Sequence, residues 1–327
     1  MEFSTGNVRL WSRLGPRGMF GQAILALAEH HPELMVLSAD LGNSSGLDRF
    51  KQSYPERYLN VGIAEQNLIG VAGGLAKEGF TVFATSFAPF ITMRAAEQIR
   101  MNLGYMAFNV KAVGIGSGLG MGFLGNSHYG LEDAAIMRSI PNLTVVSPAD
   151  CGEIAKTVFA AARHPGPMYI RLTGAPNTPI VYREDYAFQI GQAITLREGD
   201  DIALVATGSM VHAALAAADL LAQEGLACSV TNMHTLKPLD TAHLDRLART
   251  ARLIVTIEEH SRTGGLGSAV AEHLCAMDDH PPQLLIALPD EFGKSGEYSF
   301  LLDHYGLTPA KLAARVSERY RLLAPAT

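Results

Sequence analysis

Charge is scarce in this sequence. Only 18% of its 327 residues are Asp, Glu, Lys or Arg, while 48% are hydrophobic; about 25% charged is ordinary for a soluble domain. So few charges point to a chain that covers part of its surface with a partner. No Lys/Arg-rich run occurs and the formal net charge is -6, so neither nucleic acid nor an anionic membrane is expected as a partner. Cysteine is sparse as well. Cys151, Cys228 and Cys275 stand far apart, and an odd number without a Cys-x-x-Cys pair encodes neither a disulfide framework nor a zinc ribbon. That usage suits a reducing compartment. Long apolar runs are also missing. Residues 1–14 lack the apolar centre of a secretory signal. The most apolar stretch, 103–125, is interrupted by Lys111 and by six glycines after position 112, and reads as a buried strand and a tight loop rather than a membrane span. A cytoplasmic chain is expected.

What is present alternates. Apolar periodicity predicts helices over 21–30, 65–77, 90–103 and 148–162, with strands over 34–39, 80–84, 110–115, 143–147 and 168–172. In the helix over 90–103, Arg94, Glu97 and Arg100 fall on the polar side. Turn chemistry from Gly174 to Pro179 breaks the pattern. A second series follows, with strands over 202–207, 228–232, 253–258 and 283–288 and helices over 211–223, 241–250 and 266–276. Such alternation implies an α/β fold of mainly parallel sheets flanked by helices. The reading is two domains, 1–185 and 192–327, joined by a linker at 186–191.

Two motifs could carry chemistry. Gly120-x-Gly122-x-x-Gly125 follows a strand, as a dinucleotide fingerprint would, but the next strand ends at Ser147-Pro148 without the acid that would hold a ribose. Nicotinamide binding is disfavoured. Glu65 is sharper: a lone carboxylate between an apolar segment and a small-residue helix. By itself it could be no more than a favourable partner for the helix dipole.

Four segments, in order, resemble the transketolase family. They are Ser38-Ala-Asp-Leu-Gly42, Val61-Gly-Ile-Ala-Glu-Gln-Asn67, Ala84-Thr-Ser-Phe-Ala-Pro-Phe90, and His128 followed by Leu131-Glu-Asp-Ala-Ala-Ile-Met-Arg-Ser-Ile-Pro141. The resemblance is to the pyrimidine-binding and C-terminal domains of thiamine diphosphate enzymes and covers nearly the whole chain. It implies roles for particular residues. Glu65 matches the carboxylate that bonds the aminopyrimidine N1′ and drives the ring to its imino tautomer, for which a buried, proton-holding carboxyl is expected. Phe87 and Phe90 match the aromatic contacts to that ring. Asp40 matches an aspartate at the subunit interface near the cofactor. His128 matches the histidine that touches the donor hydroxyl and the reacting carbonyl. Arg17, Arg171 and Ser44 or Ser45 fall where the family binds the substrate phosphate.

The sequence also departs from the family. In 116–128 the usual Gly-Glu-Asp-Gly-x-x-His is replaced by Gly-Met-Gly-Phe-Leu-Gly-Asn-Ser-His, so the acid that meets a sugar hydroxyl is lost and Phe123 and Leu124 stand in its region. A second histidine expected near 114–116 is absent. Neither Gly-Asp-Gly nor its following Asn occurs; in the family that motif carries Mg²⁺ and the diphosphate on the other half of the enzyme. The expectation is therefore a C-terminal-half subunit of a split transketolase. It would be active only with an N-terminal-half partner in an α2β2 assembly, moving a two-carbon ketol unit from a phosphorylated or sulfonated ketose to an aldehyde. Two alternatives stay open: a subunit of a deoxyxylulose-phosphate-synthase-like or 2-oxo acid decarboxylating enzyme, and a non-catalytic assembly subunit. In the second domain, Glu258 and His260 beside Gly264 and Gly265 form the one site-like cluster.

Overall fold

A computed structural model of the chain describes residues 1–323. The first sheet contains β1 (Leu34–Ser38), β2 (Tyr58–Asn60), β3 (Thr81–Phe87), β4 (Val110–Ser117), β5 (Thr144–Val146) and β6 (Met168–Thr173). The second contains β7 (Ile194–Arg197), β8 (Ile202–Ala206), β9 (Cys228–Asn232), β11 (Leu253–Ser261) and β12 (Gln283–Leu288), while β10 (Thr235–Lys237) leaves it to join the first. The orders are β10-β5-β6-β4-β3-β1-β2 and β12-β11-β8-β9-β7. All neighbours are parallel except β10 on β5 and β7 on β9, one antiparallel edge strand per sheet. Helices cover both faces of a parallel sheet, which is why β3 and β4 are buried along their whole lengths.

The two-domain division predicted at 186–191 describes the sheets but not every strand. β10, from the second half, completes the first sheet, and Lys237 Nζ donates to the carbonyls of Arg138 and Ile140. A single apolar cluster runs across the junction and includes Met137, Ile140, Leu236 and Leu266.

Two local features differ from the sequence reading, and a third, the burial of Lys111, agrees with the buried strand it gives. The first helix runs Thr5–Ala28 and is kinked at Gly15, whose φ of 71° precedes Pro16; a Cβ there would sit 2.8 Å from Pro176 Cα, so only glycine admits the close approach. The helix predicted over 90–103 is two π-helical segments, Phe90–Arg94 and Ile99–Tyr105, around a short α turn. Lys111, the charge that interrupts the apolar stretch, lies fully buried in β4. Its Nζ donates to Asn109 Oδ1 and to the carbonyls of His164 and Gly166 at 2.5–2.8 Å, and burial pushes its pKa down to about 7. No helix among the described residues is long and apolar enough to cross a membrane.

Candidate active site

Ligands of open parallel sheets gather beyond the carboxyl ends of the strands, and the candidate residues cluster there. Gly62, at φ 76°, turns the chain after β2 while Asn60 Oδ1 accepts its N–H. The turn delivers Glu65 to the first position of the helix Glu65–Lys77. Its carboxylate is buried at 2% exposure. Oε1 accepts from Ser86 Oγ at 3.3 Å, and Oε2 pairs with Arg94 Nη1 at 2.8 Å. The expected burial of Glu65 is met; the guanidinium beside it was not foreseen, because Arg94 reads only as polar-face decoration of a helix.

From β3's last residue an aromatic group continues the wall. Phe87, Phe90 and His128 meet edge to face, with ring centroids 5.2–6.0 Å apart, a geometry favoured by ring quadrupoles. Arg94 Cζ lies 4.4 Å from the Phe90 centroid. His128 Nδ1 is 2.9 Å from Ser127 Oγ, which leaves Nε2 as the nitrogen free to meet a substrate. Phe90, Met93, Arg94 and Ser127 line an open cavity of about 790 Å³.

A second cavity of about 290 Å³ is lined by Arg17, Asn43, Ser44, Gly116, Gly120 and Met121, among others. Arg17 has no carboxylate within salt-bridge distance among the described residues, so its guanidinium is available. The loop 116–128 starts at this cavity and ends at His128, linking the two. It is braced by the second domain: Asn126 Nδ2 donates to Gly293 O and Tyr129 Oη to Lys294 O. Gly118, at φ 71°, lies against Glu259, whose carboxylate accepts from Leu119 N, Ser209 Oγ and Tyr298 Oη.

Two expected phosphate ligands are corrected. Arg171 does not face either cavity. It is 1% exposed, its Nε donates to both Asp133 carboxylate oxygens at 2.9 Å, and its Nη2 donates to the carbonyls of Gly130 and Glu259. The charge is spent inside the fold. Ser45 is fully buried with Oγ 3.4 Å from Thr85 Oγ1; of the serine pair only Ser44 reaches the cavity. Asp40 is exposed and bonded to Asn60, its Oδ1 accepting from Asn60 Nδ2 at 2.9 Å, rather than joined to the Glu65 group. The Glu258–His260 cluster is structural: Glu258 accepts from the N–H groups of Leu266 and Gly267 at the start of a helix, and His260 Nε2 lies 3.8 Å from Asp133.

Known proteins are similar to this chain in sequence and fold. The transketolase pyrimidine-binding domain family matches residues 14–175, and the transketolase C-terminal domain family matches 191–312. The chain belongs to the transketolase family. It is 38% identical over 309 residues to the putative transketolase C-terminal section of Methanocaldococcus jannaschii, covering 94% of this chain and 96% of that one. It is 38% identical over 307 residues to the 6-deoxy-6-sulfo-D-fructose transketolase subunit SqwH of Clostridium sp. (strain MSTE9), covering 93% and 94%. A solved structure described as a split gene transketolase, inactive beta4 tetramer, superposes with a TM-score of 0.84 at 40% identity, covering 94% of this chain and 98% of that one. This chain is thus a transketolase-type transferase polypeptide made of the pyrimidine-binding and C-terminal domains, the half that split transketolases carry as a separate subunit.

The family implies thiamine diphosphate, and the residues fit one part of it. A buried carboxylate, with an aromatic group reached through the Arg94 that pairs it, suits a flat, nitrogen-rich ring that donates N–H. Among the described residues no group of three or more His, Cys, Asp or Glu is placed to hold a metal ion.

Proposed function

We propose that this chain is the C-terminal-half subunit of a cytoplasmic, thiamine diphosphate-dependent transketolase that assembles as α2β2 with an N-terminal-half chain carrying the diphosphate and Mg²⁺ ligands. The observation that carries the reading is Glu65: a carboxylate 2% exposed, at a helix start, paired with Arg94, whose guanidinium lies over Phe90 in the edge-to-face group of Phe87, Phe90 and His128. The cofactor supplies a carbanion equivalent and an electron sink. Glu65 takes a ring N–H and holds the imino tautomer. Phe87 and Phe90 fix the ring's orientation and keep water from it. His128 Nε2 exchanges a proton with the donor hydroxyl or carbonyl oxygen. Arg17 and Ser44 bind an anionic end, phosphate or sulfonate, of a ketose that gives up a two-carbon unit to an aldehyde. Asp40, exposed after β1, serves at the subunit interface near the cofactor.

The SqwH relative is named for a sulfonated fructose, which supports sulfonate beside phosphate as the anion taken by the Arg17 cavity. The relative described as an inactive beta4 tetramer supports inactivity of the isolated chain. The test is reconstitution: ketol transfer measured for the chain alone, for an N-terminal-half transketolase subunit alone, and for the mixture with thiamine diphosphate and Mg²⁺. Activity only in the mixture supports the reading; robust transfer by this chain alone overturns it.

A further inference from the structure

Glu65 and Arg94 form a pair of unequal partners. The Glu65 carboxyl is 2% exposed and the Arg94 side chain 48%. Ser86 Oγ, itself fully buried, bonds Oε1 at the long distance of 3.3 Å, and Oε2 is held at 2.8 Å by Arg94, the partner that lines the cavity. A buried carboxylate with only a hydroxyl for company would be costly; the guanidinium supplies the opposite charge. The same guanidinium lies over the Phe90 ring and lines the 790 Å³ cavity. Phe90 and Arg94 belong to one π-helical segment, a form that recurs at functional sites.

We propose that Arg94 is a positioning residue: it is the counter-ion that holds Glu65 toward the cavity before the cofactor arrives, and an aminopyrimidine must take Oε2 from it to bind. The inference rests on the reading of Glu65 as the ring's partner. A ring N–H approaching along the open side meets an oxygen already occupied. Arg94 therefore competes with the ring, and its release leaves a cation stacked on Phe90.

Two measurements test this. In melting experiments on the chain alone, Arg94→Met lowers the midpoint, and adding Glu65→Gln to it restores most of the loss, because a neutral amide needs no counter-ion. In titrations of the reconstituted complex with thiamine diphosphate, followed by calorimetry, Arg94→Met binds about five- to tenfold more tightly than wild type, within the range of ordinary coupling energies. Arg94→Lys stays near wild type. A merely structural salt bridge would not tighten cofactor binding. The proposal is overturned by unchanged or weaker binding in Arg94→Met, or by a melting loss that persists in full in the double variant. A wild-type complex that binds no thiamine diphosphate overturns the functional reading and the competition with it, while the melting cycle alone still decides the ion pairing.

Discussion

The Arg171 guanidinium rests on the Asp133 carboxylate at 2.9 Å, with both side chains at 1% exposure or less. Tyr169 Oη donates to the same carboxylate at 2.7 Å, and Arg171 Nη2 reaches across to the Glu259 carbonyl of the second domain. The pair ties β6 to the helix Asp133–Ser139 and to β11. Asp133→Asn is therefore expected to cost about 3–5 kcal/mol, the usual result of leaving one buried charge uncompensated. Urea unfolding of the isolated chain measures it, and a loss below about 1 kcal/mol would restore Arg171 as a candidate substrate ligand.

Arg17 should behave in the opposite way. It faces a cavity and carries no ion pair among the described residues, so Arg17→Met should unfold at the wild-type urea concentration. A hydrogen bond to a charged group is worth about 1.5–3 kcal/mol. The expected loss is on the order of ten- to a hundredfold in kcat/KM for anionic ketoses in the reconstituted complex. Equal losses on a neutral ketose would show that Arg17 acts on something other than the anion.

A polar clamp joins the domains at Glu153. Its carboxylate accepts from Ala149 N, from Tyr186 Oη and from Nδ2 of Asn232 in β9. Burial pushes its pKa from the ordinary 4.5 to about 7, and neighbouring Asp150 is raised by burial to about 6. Between those ordinary and folded values the folded chain keeps protons that the unfolded chain has released, so stability falls as pH rises. Glu153→Gln should flatten the part of this slope between about pH 4.5 and 7; stability profiles of the two proteins across that window check it. A slope unchanged by the substitution would place the titrating group elsewhere.

Much of this architecture could be read from the chain, and the failures have physical reasons. The helix Glu65–Lys77 and the strand Cys228–Asn232 have the predicted bounds, because apolar spacing and small-residue composition are local signals. The π-helical segments were read as one α-helix, since over a few turns apolar spacing does not separate i→i+4 from i→i+5 bonding. The edge strands β2, β7 and β10 are three or four residues long, too short to show alternation. Arg171 was misread because its partner Asp133 lies 38 residues earlier, and such a pairing exists only in the fold. Arg94 was missed for the same reason, its carboxylate being 29 residues away.

The loop 116–128 sets the expected substrate range. Phe123 and Leu124 are 72% and 49% exposed, beside the residues that link the Arg17 cavity to His128. A sugar hydroxyl buried here without its acidic acceptor would cost about 1–3 kcal/mol. The reconstituted complex should prefer a less hydroxylated or differently shaped anionic donor over xylulose 5-phosphate. Comparison of kcat/KM on xylulose 5-phosphate, fructose 6-phosphate, and deoxy and sulfonated analogues decides it, with pyruvate included as the decarboxylase control. A wide preference for xylulose 5-phosphate with ribose 5-phosphate would remove the loop's role.

The central claim is that this chain contributes the carboxylate that activates a cofactor held mainly by another chain. Hydrogen–deuterium exchange at the thiazolium C2 of bound thiamine diphosphate reads that contribution without any substrate. In the complex with an N-terminal-half subunit, wild-type exchange should be fast. With Glu65→Gln it should slow by roughly 10²–10⁴, the usual span for a lost acid–base group, while the complex stays assembled and folded. Exchange in the Glu65→Gln complex at the wild-type rate would contradict the account.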